Sequence, residues 1–494
     1  MADQHRDQSR RAFLRRMTVA TVGAMAARGV YDFLDEIVIA PERAEAATTV
    51  RRKQEQYLVN NVEVILDNGV TCAIPPLHND VFTAKLSSKI NWTTAALKNA
   101  QSRLEKALQT VEAPYTDNAA GLTLVIGWGL PYFGNYVSST IWNSKMPIDL
   151  STNGCAVQNA VQFPSDPDTL VLEDNHVMFK IRSDSSTIVK NVEAALFDNP
   201  SSGAYIGDLF ELTSKRIGFL GRGFDQQSIA KQMALQAGVP GASLIPDRSQ
   251  LMMGFTSTQT AALGPDNIPS FETLKGVTNQ FPSGYFASGC AMHLSHIFID
   301  LQSWYGSGGG GSYAGRVQRM FSPSTTASAD GVVTLPNGPG QVATAAQVTA
   351  QASGPGGLVG HNSALQQATR LATDVTDNYG RLRPKGTAVP LREDFNTVDN
   401  PFAWTSDPVK DNFSSTGAAG LHFVAFVPAT SKFHAARFAM DGVLPNGGPN
   451  LRAAPYNLSD AQIGINSALH TSHRQNYLIP PRAHRSFPLV ELMT

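Results

Sequence analysis

Apolar positions recur with two periods along this chain, one near two and one near 3.6, and they alternate in blocks. Val62, Val64 and Leu66 alternate with polar neighbours between Asn60 and Pro76, predicting a strand and turn that Pro75-Pro76 ends. From Thr93 to Glu112 the period changes. Leu97, Ala100, Leu104, Leu108 and Val111 form one helical stripe, with Lys98 and Arg103 opposite. Leu122 to Trp128 is a nearly continuous apolar strand, and His176 to Arg182 alternates through Val177, Phe179 and Ile181. An amphipathic helix is predicted from Ser186, its N-cap, to Phe197, followed by a short strand from Ile217 to Leu220.

The second half repeats this grammar. Tyr285 to Trp304 is strand-like, and Leu421 to Val427 is a buried strand followed at once by a helix from Ser431 to Met440. Ala461 to Leu469 and Asn476 to Ile479 form a final pair. Strand–helix–strand units given twice predict an α+β protein with two related halves, at 47–240 and 241–494. Gly-Ser-Gly-Gly-Gly-Gly-Ser and a Thr/Ala/Ser/Gly/Pro tract mark a low-complexity insertion over 306–360. It is either a lid or a mobile surface segment.

Composition narrows the function classes. Lys+Arg 39 against Asp+Glu 40 gives a net charge of −1, so no basic field draws nucleic acid. Cys72, Cys155 and Cys290 have no metal-ligand spacing, and an odd count excludes a full disulfide framework. Ser9-Arg10-Arg11-Ala12-Phe13-Leu14, the apolar run Met17 to Ala27 and the small-residue site Ala44-Glu45-Ala46 read as a twin-arginine signal peptide over 1–46. It predicts export to the periplasm or beyond. The run is too short to cross a membrane, so no span is expected after its removal.

Candidate chemistry is sparse. Ser249 to Thr258 is an apolar run that breaks at Gly254 into Thr256, Ser257 and Thr258; on its own it reads as a strand entering a Ser/Thr turn. His361 follows a glycine-rich lead, Gly354-Pro355-Gly356-Gly357-Leu358-Val359-Gly360, and precedes a helix predicted from Ala364 to Leu371. It is a loop histidine or a metal ligand. Arg381 and Arg383, in Gly-Arg-Leu-Arg-Pro-Lys-Gly, are solvated loop cations or the fixed charge of a reaction site. His293 and His296 sit on opposite faces of a strand, His422 lies in a core strand, and His470 with His473 can share a helical face without a carboxylate partner. H-E-x-x-H, G-x-S-x-G, C-x-x-C and phosphate-cradling loops are absent, which leaves hydrolase and nucleotide-binding readings without support.

Taken together, these stretches resemble the dye-decolourising haem peroxidases, in order from about Tyr57 to Ile479. Leu251-Met252-Met253-Gly254-Phe255 is similar to the lead-in of that family's Gly-x-x-Asp-Gly motif. Leu122 to Gly129 resembles its early strand, Asp174 to Arg182 its acidic turn and strand, and Gly420 to Val427 its late apolar strand. Trp304 and Gly315-Arg316 fall between the two site motifs. The resemblance implies tandem ferredoxin-like halves with antiparallel sheets, of the dimeric α+β barrel kind, and haem b in the C-terminal half. His361 would be the iron ligand, Arg383 or Arg381 the distal cation, and Phe255 and Met253 cofactor neighbours. Hydrogen peroxide and a small-molecule electron donor would be the partners, with Trp304 and Tyr305 as an electron relay if exposed; a homo-oligomer is compatible. The departure is at Ser257, which stands where the family keeps its distal Asp, with Thr258 for the second Gly. A hydroxyl cannot exchange protons at neutral pH as a carboxylate does. A second function is therefore carried alongside peroxidase activity: a non-catalytic binder of haem, iron or a small molecule on the same fold.

Overall fold

The computed structural model describes residues 30–34, 52–67, 70–220, 228–254, 267–306, 312–321, 326–327, 333–334, 342–355, 357–400 and 416–494. Its first unit runs β1 (His78–Leu86), α1 (Thr94–Glu112), β2 (Thr123–Gly129), β3 (Val177–Ser183), α2 (Ser186–Glu193) and β4 (Phe210–Phe219). The second runs β5 (Cys290–Ile299), β6 (Phe395–Thr397), β7 (Gly420–Val427), α4 (Thr430–Met440) and β8 (Leu469–Ile479), with α3 (His361–Thr369) among the helices between β5 and β6. The strand orders are β4-β1-β3-β2 and β8-β5-β7-β6, all antiparallel. Each unit is thus a ferredoxin-like β-α-β-β-α-β fold. The expected α+β class with two related halves is what the chain adopts.

The two sheets are one. Asn396 of β6 pairs with Phe219 of β4, and Tyr477 and Leu478 of β8 pair with Gly129 and Trp128 of β2. These seams close eight strands into a ring without a free edge. Alternation then sorts side chains inward or outward. Val81, Val125, Met178, Met292, Leu294, Val424, Phe426, Tyr477 and Ile479 fill the interior. Outside the first unit, Phe82, Phe179, Ile181 and Trp128 pack under α1 and α2. The α1 stripe of Leu97, Ala100, Leu104, Leu108 and Val111 is buried as its spacing predicts, and Thr93 caps the helix.

Charge is buried in the ring as well. Lys180 and Arg182 of β3 both bond Glu393, which precedes β6; Lys180 Nζ lies 3.0 Å from the carboxylate. All three are buried. Burial pulls the Lys180 ammonium down to about 8. Burial acts to raise the Glu393 carboxyl as well, but Arg182 and Lys180 overcome it and hold it below its usual range.

Several local expectations are corrected. The cap of α2 is Ser185, whose hydroxyl accepts the Ile188 N–H, one residue before the expected Ser186. Tyr285 to Trp304 divides into β5 and a helical turn, Leu301–Tyr305. The 306–360 insertion carries two helices, Tyr313–Phe321 and Ala345–Ser353, the latter closed by a Thr344/Gln347 capping box. Residues 249–254 are bends and turns rather than a strand. His470 and His473 lie on strand β8, so no helical face unites them.

Within the stretch read as a signal peptide, residues 30–34 pack against the folded body. Leu34 is fully buried, and the Tyr31 hydroxyl bonds Asp399 Oδ1 (2.9 Å), Thr397 Oγ1 (3.0 Å) and the Ile217 carbonyl (3.2 Å). Ile217 belongs to β4 and Thr397 to β6, so this one hydroxyl spans the seam that a single residue pair closes. Tyr31→Phe is expected to cost about 1–3 kcal/mol, and a chain starting at residue 47 should melt lower still. Equal melting of full-length and shortened chains would show that the turn contributes nothing. Glu393→Gln leaves two buried cations sharing no carboxylate and should cost about 3–5 kcal/mol in urea unfolding; a loss below about 1 kcal/mol would contradict the central role given to this pair.

Candidate functional site

The outer face of the second unit does not close onto its helices. A cavity with an empty volume of about 1560 Å³, open mouth included, lies between β5, β7 and β8 on one side and α3 and α4 on the other. Its wall follows from periodicity. β5 contributes His293, Ser295, Ile297 and Ile299, and β7 contributes Leu421, Phe423, Ala425 and Val427, every second residue of each strand. α3 presents His361, Leu365 and Ala368, while α4 presents Phe433, Ala436, Arg437 and Met440, at helical spacing.

His361 is the first residue of α3 rather than part of the loop before it. That loop is pinned: Val359 bonds the Gln462 carbonyl and accepts from the Gly464 N–H, both at 2.9 Å. Gly464 has φ 56°, and a Cβ there would come within 3.1 Å of His361 Cβ, so the position requires glycine. His361 Nδ1 is buried without a hydrogen-bond partner. Burial first, then Arg392 and Arg437, push its pKa down to about 3. The imidazole is neutral at physiological pH, the state in which a ring nitrogen can bind a metal.

Met253 and Leu251 also line the cavity. Their turn is braced by the Trp304 indole N–H and Tyr313 hydroxyl on the Met253 carbonyl (2.7 and 3.0 Å), and by the Tyr305 hydroxyl on the Met252 carbonyl (2.6 Å). Gly254 has φ 77°, and a Cβ there would sit 2.3 Å from the Tyr305 hydroxyl. Trp304 is buried, so the exposure asked of a surface relay is not met at that ring. Phe255 and Ser257 lie outside the described residues.

Neither expected arginine reaches the cavity. Arg383 is buried in an ion pair with Asp377 (3.0 Å) and donates to Asn267 Oδ1 (2.7 Å), while Arg381 is exposed beyond it. The cations on the wall are Arg392, Lys432, Arg437 and Arg474. Arg437 and Arg474 are partly committed, to Asp166 and Asp441. Arg370, at the end of α3, is buried with its Nε and one Nη unpartnered. Burial and then Arg392 lower it to about 10. In the sequence Leu391-Arg392-Glu393-Asp394 is an ordinary charged run with nothing to mark Arg392; only its strand setting distinguishes it.

Three other histidines are tied into the sheet by their ring neighbours. His293 stacks on Phe433 with centroids 3.7 Å apart and bonds Asn476 at 2.7 Å. His296 and His422, on the opposite face of the sheet as expected, meet inside the ring at 5.0 Å. Among the described residues no group of three His, Cys, Asp or Glu side chains could hold a metal ion, and no helix is long and apolar enough to cross a membrane. Cys155 and Cys290 are free thiols.

The sequence pattern of a family of unknown function, DUF7405, matches residues 76–481. The chain belongs to DUF7405. No curated protein matches it. Among solved structures it is similar to the DyP-type peroxidase from Cellulomonas bogoriensis (13% identity, 82% of this chain and 90% of that one, TM-score 0.47). It is also similar to the encapsulated DyP-type peroxidase from Mycobacterium smegmatis (11%, 84% and 95%, TM-score 0.44), and to a variant of DypB from Rhodococcus jostii RHA1 in complex with heme (11%, 83% and 95%, TM-score 0.45).

The buried imidazoles of this DUF7405 protein set its acid response. Burial lowers His293, His296 and His422 well below the usual value and His473 to about 3. Below the unfolded value near 6.5 the unfolded chain binds more protons, so each histidine removes up to about 1.4 kcal/mol per pH unit. Asp80 and Asp394, raised by burial to about 6, act oppositely as pH falls below 6. These four, together with His361 and with His434, which burial lowers to about 4, outweigh two carboxyls. The urea midpoint should therefore be lower at pH 5.5 than at pH 7; an unchanged or higher midpoint would contradict this.

Proposed function

We propose that this DUF7405 chain is a haem-dependent, peroxidase-like oxidoreductase of the dye-decolourising type, exported by the twin-arginine route, that reduces hydrogen peroxide with an organic donor. The observation that carries the reading is His361: a neutral imidazole on the wall of a large, mostly apolar slot, with one ring nitrogen buried and unpartnered. The slot suits haem b in its remaining chemistry. Apolar residues of β5, β7, α3 and α4 face a flat hydrophobic body, and Lys432 is a wall cation available to carboxylates. Arg437 and Arg474 add positive charge although Asp166 and Asp441 already hold them. When bound, haem supplies the redox chemistry of peroxide reduction. His361 holds it in place; the pinned loop and Gly464 fix where that imidazole stands. Arg392, in place of Arg383 or Arg381, supplies the fixed positive charge facing peroxide, worth several kcal/mol where water is excluded. Ser257 contributes at most an oriented hydrogen bond.

The replacement of the distal carboxylate by Ser257 favours a second reading, a non-catalytic binder of haem or a related molecule in the same cavity. Adding haemin to the purified protein should produce a Soret band that His361→Ala removes or shifts. Arg392→Leu should keep the band and lower peroxide-dependent dye oxidation about 10²-fold or more, while Arg383→Leu leaves the rate within a few-fold. A band indifferent to His361→Ala contradicts the ligand assignment. Dye oxidation no faster than free haemin, with the band intact, selects the binder.

A further inference from the structure

Residues 391–395 cross the cavity wall as extended chain beside β7. Leu391 pairs with Phe426, Arg392 with Ala425 and Phe395 with His422, and the Glu393 N–H donates to the Val424 carbonyl at 2.9 Å. No residue is skipped, so side chains alternate. Leu391 and Phe395 enter the ring interior and Glu393 meets Lys180 and Arg182, while Arg392 and Asp394 line the cavity.

We propose that Asp394 is the group that takes and returns the substrate proton in this cavity, the role a hydroxyl at Ser257 cannot fill. The assignment rests on the haem reading above. Asp394 lies two residues from Arg392 on the same face, roughly 7 Å along the strand, so a carboxylate and a fixed cation look into the space that His361 also faces. Its side chain is anchored: Oδ1 accepts the Val424 N–H at 3.2 Å. Among the described residues that is its one hydrogen bond, which leaves Oδ2 to the cavity.

Burial raises this carboxyl to about 6, against the pull of Arg392, the Val424 N–H and Lys180; Glu393 pushes it the same way as burial. The other titratable groups on the cavity wall are His293 of β5, His361 of α3, Lys432 and Arg437 of α4, and Arg474 of β8. A carboxyl titrating near neutrality both accepts and donates a proton efficiently. Asp394 takes the proton from one peroxide oxygen and returns it to the other as the O–O bond breaks. That oxygen departs as water with the bond's electron pair. The two electrons the remaining oxygen needs would come from haem and ultimately from the organic donor, and none passes through Asp394.

Cyanide tests this without turnover, because it enters as neutral hydrogen cyanide and binds as the anion. With the haem-loaded full-length protein, Asp394→Asn should keep the absorption band, slow cyanide association about 10²-fold or more, and lose the parent's pH inflection near 6. Asp394→Glu should recover part of the rate. An Asn variant that associates at the parent's rate with the parent's pH profile overturns the assignment. If the Asn variant takes up no haem, the Glu variant decides: a shifted rate and inflection support the role, and unshifted ones overturn it. A parent that shows no band on haem addition overturns the haem reading itself, before any variant is compared.

Discussion

Glu393 is where the two halves meet chemically, a carboxylate of the second unit set between Lys180 and Arg182 of the first. Bringing three charges out of water is expensive, and hydrophobic residues of similar volume would often be as stable. What the cluster adds is register. Shifting residues 391–395 by one place against β7 would turn Glu393 outward and leave Lys180 and Arg182 in the ring without an anion. It would also carry Arg392 and Asp394 into the interior. The buried ion pairs therefore hold the cavity-facing residues in place although they never touch the cavity.

The two units share a topology but not a fill. In the first, the layer between sheet and helices is crowded with Phe82, Phe179, Phe197, Phe210 and Trp128, whose rings contact Phe487 or one another. Such a layer contributes several kcal/mol of burial and leaves no room. In the second, Ser295, Ala425, Ala368 and Ala436 stand at cavity-facing positions. Small side chains on both sheet and helix keep the layers from interlocking, and the unfilled space becomes the site. Closure of the ring makes this tolerable, since the filled half and the interior carry the packing that the open half forgoes.

How much of this was legible follows from where each signal resides. Strongly periodic segments (α1, β2, β3, β7 and α4) announce themselves because one face of each is buried and the pattern is local. The helices within 306–360 were hidden by Gly, Ser, Thr and Ala, whose composition reads as a linker although Val348 and Ala352 supply a buried stripe. His361 was found through its glycine-rich lead, a local feature. Arg383 follows His361 in the order the resemblance asks for, at a looser spacing, yet Asp377 six residues earlier is a local partner that already holds it. Arg392 and Asp394 carry no such mark. Their importance lies in which way a strand faces, and that is fixed by partners from β3 far away in sequence.

A hydroxyl at Ser257, where the resemblance expects a carboxylate, looks decisive in the sequence because a motif is read as a unit. In the folded chain, chemistry depends on which groups share a space, and strand and helix both deliver groups to it. His361 comes from a helix start pinned by Gly464, Arg392 and Asp394 from one extended run, and the surrounding cations from α4 and β8. A neutral imidazole, several guanidinium and ammonium groups and one carboxyl near neutrality share the wall, which is the set of groups that the proposed chemistry asks for. On the proposed reading, Ser257 need not be the catalytic acid. The weight of the question moves from a single substituted position to the register of five residues, and that register is set by the salt bridge at the centre of the ring.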